Sequence, residues 1–157
     1  MGDPDRMGMA TTLTLWLGLW PRGYLLQVGD SRCYLLRQGT LTQVSRDQTI
    51  AQEYIDLGVL TRADAEDSRL AYILSSTVGG VQSKPVVTRM LSEWDNVGML
   101  CSDGLIEHVS DERIRERLMS MTSAKQACED LLQDALDGGG IDNVTIIIGR
   151  TVRRGAA

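Results

Sequence analysis

TTLTLWLGLWPRGYLLQVGDSRCYLLRQGTLTQV, residues 11–44, decides the fold class. From Thr11 to Trp20 the residues alternate, with Leu13, Leu15, Leu17 and Leu19 on one side and Thr12, Thr14, Trp16 and Gly18 on the other. That is the period of a β-strand, whose successive side chains point to opposite faces. Pro21-Arg22-Gly23 reads as a turn into a second strand, Tyr24 to Val28. Cys33 to Arg37 forms a third, and Gln38-Gly39 closes a hairpin onto Thr40 to Val44. Consecutive short strands joined by tight turns predict an antiparallel sheet.

Beyond this stretch the period changes. Thr49 followed by Gln52 is a helix-capping pattern, with Ile50, Tyr54 and Leu57 on one face and Gly58 as the stop. A second short helix starts at Thr61, so an excursion of helices leaves the sheet without forming a domain. Leu74 to Gly80 reads as a turn-like segment, followed by strands at Val86 to Leu91 and Asn96 to Cys101. Ser110 opens a helix aligning Ile114, Leu118 and Met121, and Ser123 opens another aligning Ala127, Leu131 and Ala135. Gly138-Gly139-Gly140 ends it before a last strand, Val144 to Ile148. The order predicts a layered α+β fold.

Composition narrows the function. With 157 residues, 43% apolar and 24% charged, the chain has one ordinary domain's worth of core. A net charge of −5 argues against nucleic acid as a partner. No apolar run is long enough for a membrane span, and the first residues carry no secretory pattern. Cys33, Cys101 and Cys128 lack ligand spacing and His108 is the only histidine, so buried thiols in a reducing cytoplasm are expected rather than zinc. His108 itself reads as a surface or loop residue.

Three aspartates stand at expected strand ends: Asp30 in Val-Gly-Asp-Ser-Arg, Asp103 in Ser-Asp-Gly-Leu, and Asp142 in Gly-Gly-Ile-Asp-Asn-Val-Thr. A carboxylate at the rim of a core is costly without a partner, and a hard cation such as Mg²⁺ or Mn²⁺ would offset that cost. Taken singly, each also fits a turn former bonded to its own backbone.

In this order the segments resemble the PP2C or PPM family of metal-dependent serine/threonine protein phosphatases. The likeness runs from about Gly8 to Arg150. It includes Gly8 to Leu13, Val28 to Arg32 with Tyr34, Arg46-Asp47-Gln48-Thr49, Leu74 to Gly80, Ser102 to Leu105, and Gly139 to Thr145. The resemblance implies a PP2C-like antiparallel β-sandwich flanked by helices, over 8–150, with short tails at 1–7 and 151–157. It implies dephosphorylation of phosphoserine or phosphothreonine proteins by a metal-activated water. By matching motifs, Asp103 and Asp142 are expected ligands of a binuclear Mg²⁺ or Mn²⁺ centre and Asp30 of an additional metal. Asn143 would orient Asp142, and Gly104 would keep the backbone clear of the ion, although a plain turn residue fits there equally. The segment 50–70, with Ile50, Tyr54, Leu60 and Arg62, corresponds to the family's substrate flap, whereas Ser31 and Arg32 serve strand and loop structure.

The departures matter too. The family's early arginine, its acidic residue and its Asp-Gly-x-Gly-Gly segment have no counterpart here, and Gln48 stands where a histidine is usual. An N-terminally truncated domain carrying part of the site is therefore expected, with bare sheet edges and apolar faces that favour association where the family is monomeric. The resemblance also implies a cytoplasmic location and substrates made by Ser/Thr kinases. The alternative is an inactive pseudophosphatase that only binds proteins.

Overall fold

The computed structural model describes residues 8–66 and 68–153; the tail at 1–7, Asp67 of the flap and residues 154–157 lie outside it. The chain runs β1 (Leu13–Leu19), β2 (Arg22–Val28), β3 (Arg32–Arg37), β4 (Thr40–Gln43), α1 (Ile50–Asp56), α2 (Arg62–Glu66), a 3-10 turn (Arg69–Tyr72), β5 (Val86–Leu91), β6 (Val97–Cys101), α3 (Asp103–Ile106), α4 (Asp111–Ser120), α5 (Ala124–Asp137) and β7 (Ile146–Arg150). All pairings between named strands are antiparallel, in two sheets ordered β1-β2-β5 and β4-β3-β6-β7. The expected two-sheet α+β architecture is thus present.

The second sheet carries the core. Tyr34, Leu36, Val97, Met99 and Cys101 face α4 and α5, which bury Ile114, Leu118 and Leu131 against them. The faces of α4 and α5 expected from spacing are the faces buried, except that Met121 is the C-cap of α4 and only partly buried. Each helix starts where a serine hydroxyl accepts a backbone N–H, Ser110 from Arg113 and Ser123 from Gln126. Asp134 on α5 accepts hydrogen bonds from Arg113 and Arg117 on α4 and ties the two helices together.

The first sheet is less covered. The side of β1 carrying Leu13, Leu15, Leu17 and Leu19 looks outward, with these leucines 40, 45, 48 and 57% exposed. On its other side, Trp16 lies over Gly23, where a Cβ would come within 2.7 Å of the indole. Trp16, Cys33, Leu35, Met90, Leu100 and Ile147 line a cavity of about 570 Å³ between the sheets. At one end of the first sheet, Trp20 and Trp94 stack with centroids 4.0 Å apart and Arg153 lies over Trp94.

Several boundaries differ from the sequence reading, among them the start of β2 at Arg22 inside the expected turn. The hairpin at Gln38-Gly39 forms as expected with both residues left-handed (φ 49° and 81°), but β4 ends at Gln43. Val44 and Ser45 N–H groups turn instead to the Cys33 carbonyl. The last strand starts at Ile146, later than Val144, because Thr145 exchanges hydrogen bonds with Ser102. A short helix, α3, follows β6 directly, an element the sequence reading does not contain. Cys33 and Cys101 are buried as expected, whereas Cys128 is only partly so.

Candidate metal centre

Strand register alone brings two of the predicted carboxylates together. Arg32 on β3 pairs with Cys101 on β6, and in antiparallel strands Asp30 and Asp103 lie equally far beyond that rung. Both line one cleft of about 390 Å³, with Arg32, Asp47, Arg62 and Glu107 also on its wall. Asp103 opens α3, and its Oδ1 accepts the Gly104 N–H at 3.0 Å. Burial pushes the Asp30 carboxyl up to about 6, the charges of Asp103 and Asp47 adding to the rise while its own backbone hydrogen bond and Arg32 oppose it.

Asp142 does not line this cleft. It is exposed, and its Oδ1 accepts the Asn143 backbone N–H at 2.6 Å, the local bond of a turn-forming aspartate. The loop holding it packs tightly on α3. A Cβ on Gly104 would come within 2.6 Å of the Asn143 carbonyl oxygen, and Ser102 Oγ donates to that same oxygen. Gly104 therefore has a reason to be glycine in the approach of the Asp142–Asn143 backbone. His108 lies in the turn between α3 and α4, half-buried, and its Nε2 accepts the Ile141 N–H at 3.3 Å and braces the loop leading to Asp142.

Among the described residues, no three His, Cys, Asp or Glu side chains stand close enough to hold an ion as a group. The donor chemistry nevertheless suits a hard cation: Asp30 and Asp103 present carboxylate oxygens to one cleft, and Mg²⁺ commonly takes one or two carboxylates with water completing an octahedral shell. Zinc, which favours nitrogen and sulfur ligands, finds neither here.

The opposite wall comes from the segment expected to form the flap, with Thr49 before it and Tyr72 after it. Thr49 caps α1 by accepting the Gln52 N–H, as its spacing predicts. Of the four flap residues singled out, Arg62 lines the cleft, while Ile50, Tyr54 and Leu60 do not. Helix α1 is turned so that Ala51, Gln52 and Ile55 face the cleft; Tyr54 and Leu57 point to solvent. Ala65, Ala71 and Tyr72 complete this wall. The apolar spacing of Ile50, Tyr54 and Leu57 misjudged the face because Ala51 and Ile55 form the competing one.

One set of contacts is absent from the sequence reading. Arg32 Nε donates to both Asp47 oxygens at 3.1 Å, Nη2 to Oδ2 at 2.8 Å, and Nη1 to the Tyr34 hydroxyl at 3.0 Å. Tyr34, fully buried, donates in turn to Asp111 on α4. Gln48 fastens the other side of the Asp30 turn, its Oε1 accepting the Gly29 N–H and its Nε2 donating to the Lys84 carbonyl. Side-chain reach across 15 residues leaves no periodic signal, although the Arg46 to Thr49 motif marks the place.

No protein-family model matches the chain. It is 39% identical over 150 residues to the serine/threonine protein phosphatase PstP of Mycobacterium tuberculosis, covering 96% of this chain and 29% of that protein. It is 30% identical over 148 residues to the serine/threonine phosphatase Stp of Listeria monocytogenes, covering 93% of this chain and 58% of that protein. Among solved structures, the M. tuberculosis phosphatase PstP/Ppp superposes with a TM-score of 0.90 at 36% identity, over 96% of this chain and 64% of that one. The PstP catalytic domain in complex with two manganese ions superposes with a TM-score of 0.85 at 38% identity, over 96% and 63%. The chain thus spans less than two thirds of the length of each of these relatives.

Proposed function

We propose, of a chain homologous over nearly its whole length to the PP2C/PPM-type serine/threonine phosphatases, that it serves metal-dependent removal of phosphate from phosphoserine and phosphothreonine in proteins. The observation that carries this reading is the pair of carboxylates, Asp30 and Asp103, which stand just beyond the last rung of the β3–β6 ladder and line one cleft, in a fold whose neighbour holds two manganese ions. Asp30 and Asp103 would hold Mg²⁺ or Mn²⁺ through oxygen, with Asp142, on the loop packed against α3, as a further ligand. When bound, the metal supplies an acidified water and a positive charge for the phosphate oxygens. The protein's own part is to hold those carboxylates just beyond the end of a rigid ladder, to keep Gly104 and the Asn143 carbonyl in contact so that the Asp142 loop is placed, and to shape the entrance with the flap at 50–70.

Arg62, on the wall of the cleft, would face the anionic phosphate of the substrate. The substrates in this reading are phosphoproteins made by Ser/Thr kinases, met in the cytoplasm; among the described residues, no helix is long and apolar enough to cross a membrane. The relatives compared carry phosphatase names, which supports turnover over a purely binding role.

The test is Mn²⁺-dependent hydrolysis of a phosphothreonine peptide, with Asp103→Asn beside the parent chain. Hydrolysis that needs Mn²⁺ and fails in the variant supports the reading. Equal rates in both chains would overturn the role of Asp103. No hydrolysis and no Mn²⁺ uptake would overturn the metal reading for this chain.

A further inference from the structure

We infer that Asp47 is a positioning residue that holds the Arg32 guanidinium away from Asp30 and Asp103, leaving those two carboxylates available to a divalent cation. This rests on the metal reading above and adds a residue that the aspartate motifs do not contain.

Four groups of negative charge line the cleft, Asp30, Asp47, Asp103 and Glu107, and two arginines, Arg32 and Arg62. Arg32 is the cation next to the candidate ligands: it is two positions along the chain from Asp30, and its ladder partner Cys101 is two positions from Asp103. An arginine so placed is a competitor for any metal, because its planar fork pairs with carboxylates through two parallel hydrogen bonds. The geometry directs that fork elsewhere. Nε and Nη2 both bond Asp47, and Nη1 bonds Tyr34.

The keeper is itself held. Gln43 Nε2 donates to Asp47 Oδ1 at 2.9 Å, and the Tyr34 hydroxyl that accepts from Arg32 is anchored by donating to Asp111 Oδ1 at 2.8 Å. The Arg32–Asp47 side chains are 25 and 17% exposed, so water screens the pair only partly. Paired, the two charges cancel, and the remaining negative charge at Asp30 and Asp103 is what a cation meets. Without Asp47, Arg32 keeps one weak neutral partner, Tyr34, and the carboxylates nearest along the strand ends are Asp30 and Asp103.

The probe is Mn²⁺ alone, titrated calorimetrically or by electron paramagnetic resonance of the free ion, on the full chain at low and high ionic strength. Asp47→Asn is expected to weaken Mn²⁺ binding by about 10-fold or more, the scale of losses at groups that orient metal ligands. The loss should shrink in high salt, which screens a misplaced Arg32. Arg32→Gln should bind Mn²⁺ at least as tightly as the parent, and Asp47→Asn combined with Arg32→Gln should recover most of the loss. A purely structural role predicts no recovery, so a double variant as weak as Asp47→Asn overturns the inference. Equal affinities for the parent and Asp47→Asn overturn it as well, with the metal reading intact. If Asp47→Asn fails to fold, by circular dichroism, Arg32→Gln decides: weaker Mn²⁺ binding than the parent overturns the inference, and tighter or equal binding supports it. A parent chain that takes up no Mn²⁺ overturns both the metal reading and this inference.

Discussion

The negative charge of Asp103 acts on Asp30 across the cleft, second only to burial among the forces that raise the Asp30 pKa to about 6. Two like charges at one strand end resist being ionised together. Removing one should relieve the other. In Asp103→Asn, the Asp30 carboxyl is expected to titrate nearer its ordinary value, measured by NMR titration of the metal-free protein. An unchanged Asp30 titration would show that the charge of Asp103 has no part in it.

The same shift makes stability depend on pH. Asp30 is raised from 3.8 to about 6, so the folded chain holds this proton more tightly than the unfolded chain. Its unfavourable contribution is complete above pH 6 and disappears as pH falls below 3.8. The metal-free protein should therefore gain stability between about pH 7 and pH 4 from this group, by a modest amount because water reaches part of it. Urea midpoints at pH 7 and pH 5 check this, and Asp30→Asn should flatten the difference.

Asp134 has the opposite sign. Hydrogen bonds from Arg117 and Arg113 hold its carboxyl far below the usual range, against the effect of burial. The stability it gives is fully present above its unfolded value of 3.8 and is lost as pH falls below that. Asp134→Asn should lower the melting temperature at pH 7, with the gap from the parent narrowing in acid and in high salt. Equal melting temperatures at pH 7 would mean the bridge between α4 and α5 contributes nothing.

Gly104→Ala puts a methyl group against the Asn143 carbonyl at 2.6 Å, backbone that cannot swing aside cheaply. Overpacking of this kind costs about 1–3 kcal/mol. Chemical denaturation should show that loss, and amide exchange should show the Asp142 loop opening sooner than α4 or α5.

The outward leucines of β1 predict association, since large exposed apolar patches seek cover. Leu15→Lys with Leu17→Lys should shift the chain toward monomer in size-exclusion chromatography at raised concentration. Identical elution would place any self-contact elsewhere.

The parts legible in the sequence were those with a period or a local bond. The alternation in Thr11 to Trp20, the serine caps at Ser110 and Ser123, and the turn at Gln38-Gly39 each depend on residues a few positions apart. The motif aspartates led to the cleft for Asp30 and Asp103, because strand ends in register converge. Asp142 was harder, since whether a loop aspartate serves its own turn or a site depends on packing that its neighbours in sequence do not encode. The Arg32–Asp47–Tyr34–Asp111 chain joins β3, the loop after β4 and α4, and no spacing rule links those. Likewise the turn of α1 that presents Ala51 and Ile55 depends on how the flap sits, where two faces of the helix offered apolar residues.

The tryptophans divide the molecule optically. Trp16 lies in the cavity between the sheets and the stacked Trp20 and Trp94 stand at one end of the first sheet, Trp94 also near α4, whereas none lines the cleft of Asp30 and Asp103. Intrinsic fluorescence is therefore a gauge of the space between the sheets and of one end of the first, and the exciton coupling of the stacked pair in near-ultraviolet circular dichroism reports on that end. A reagent that frays β1 will dim or red-shift the emission early, while events confined to the carboxylates can pass in darkness. Anyone following ion uptake by this chain's own light would be watching the wrong wall.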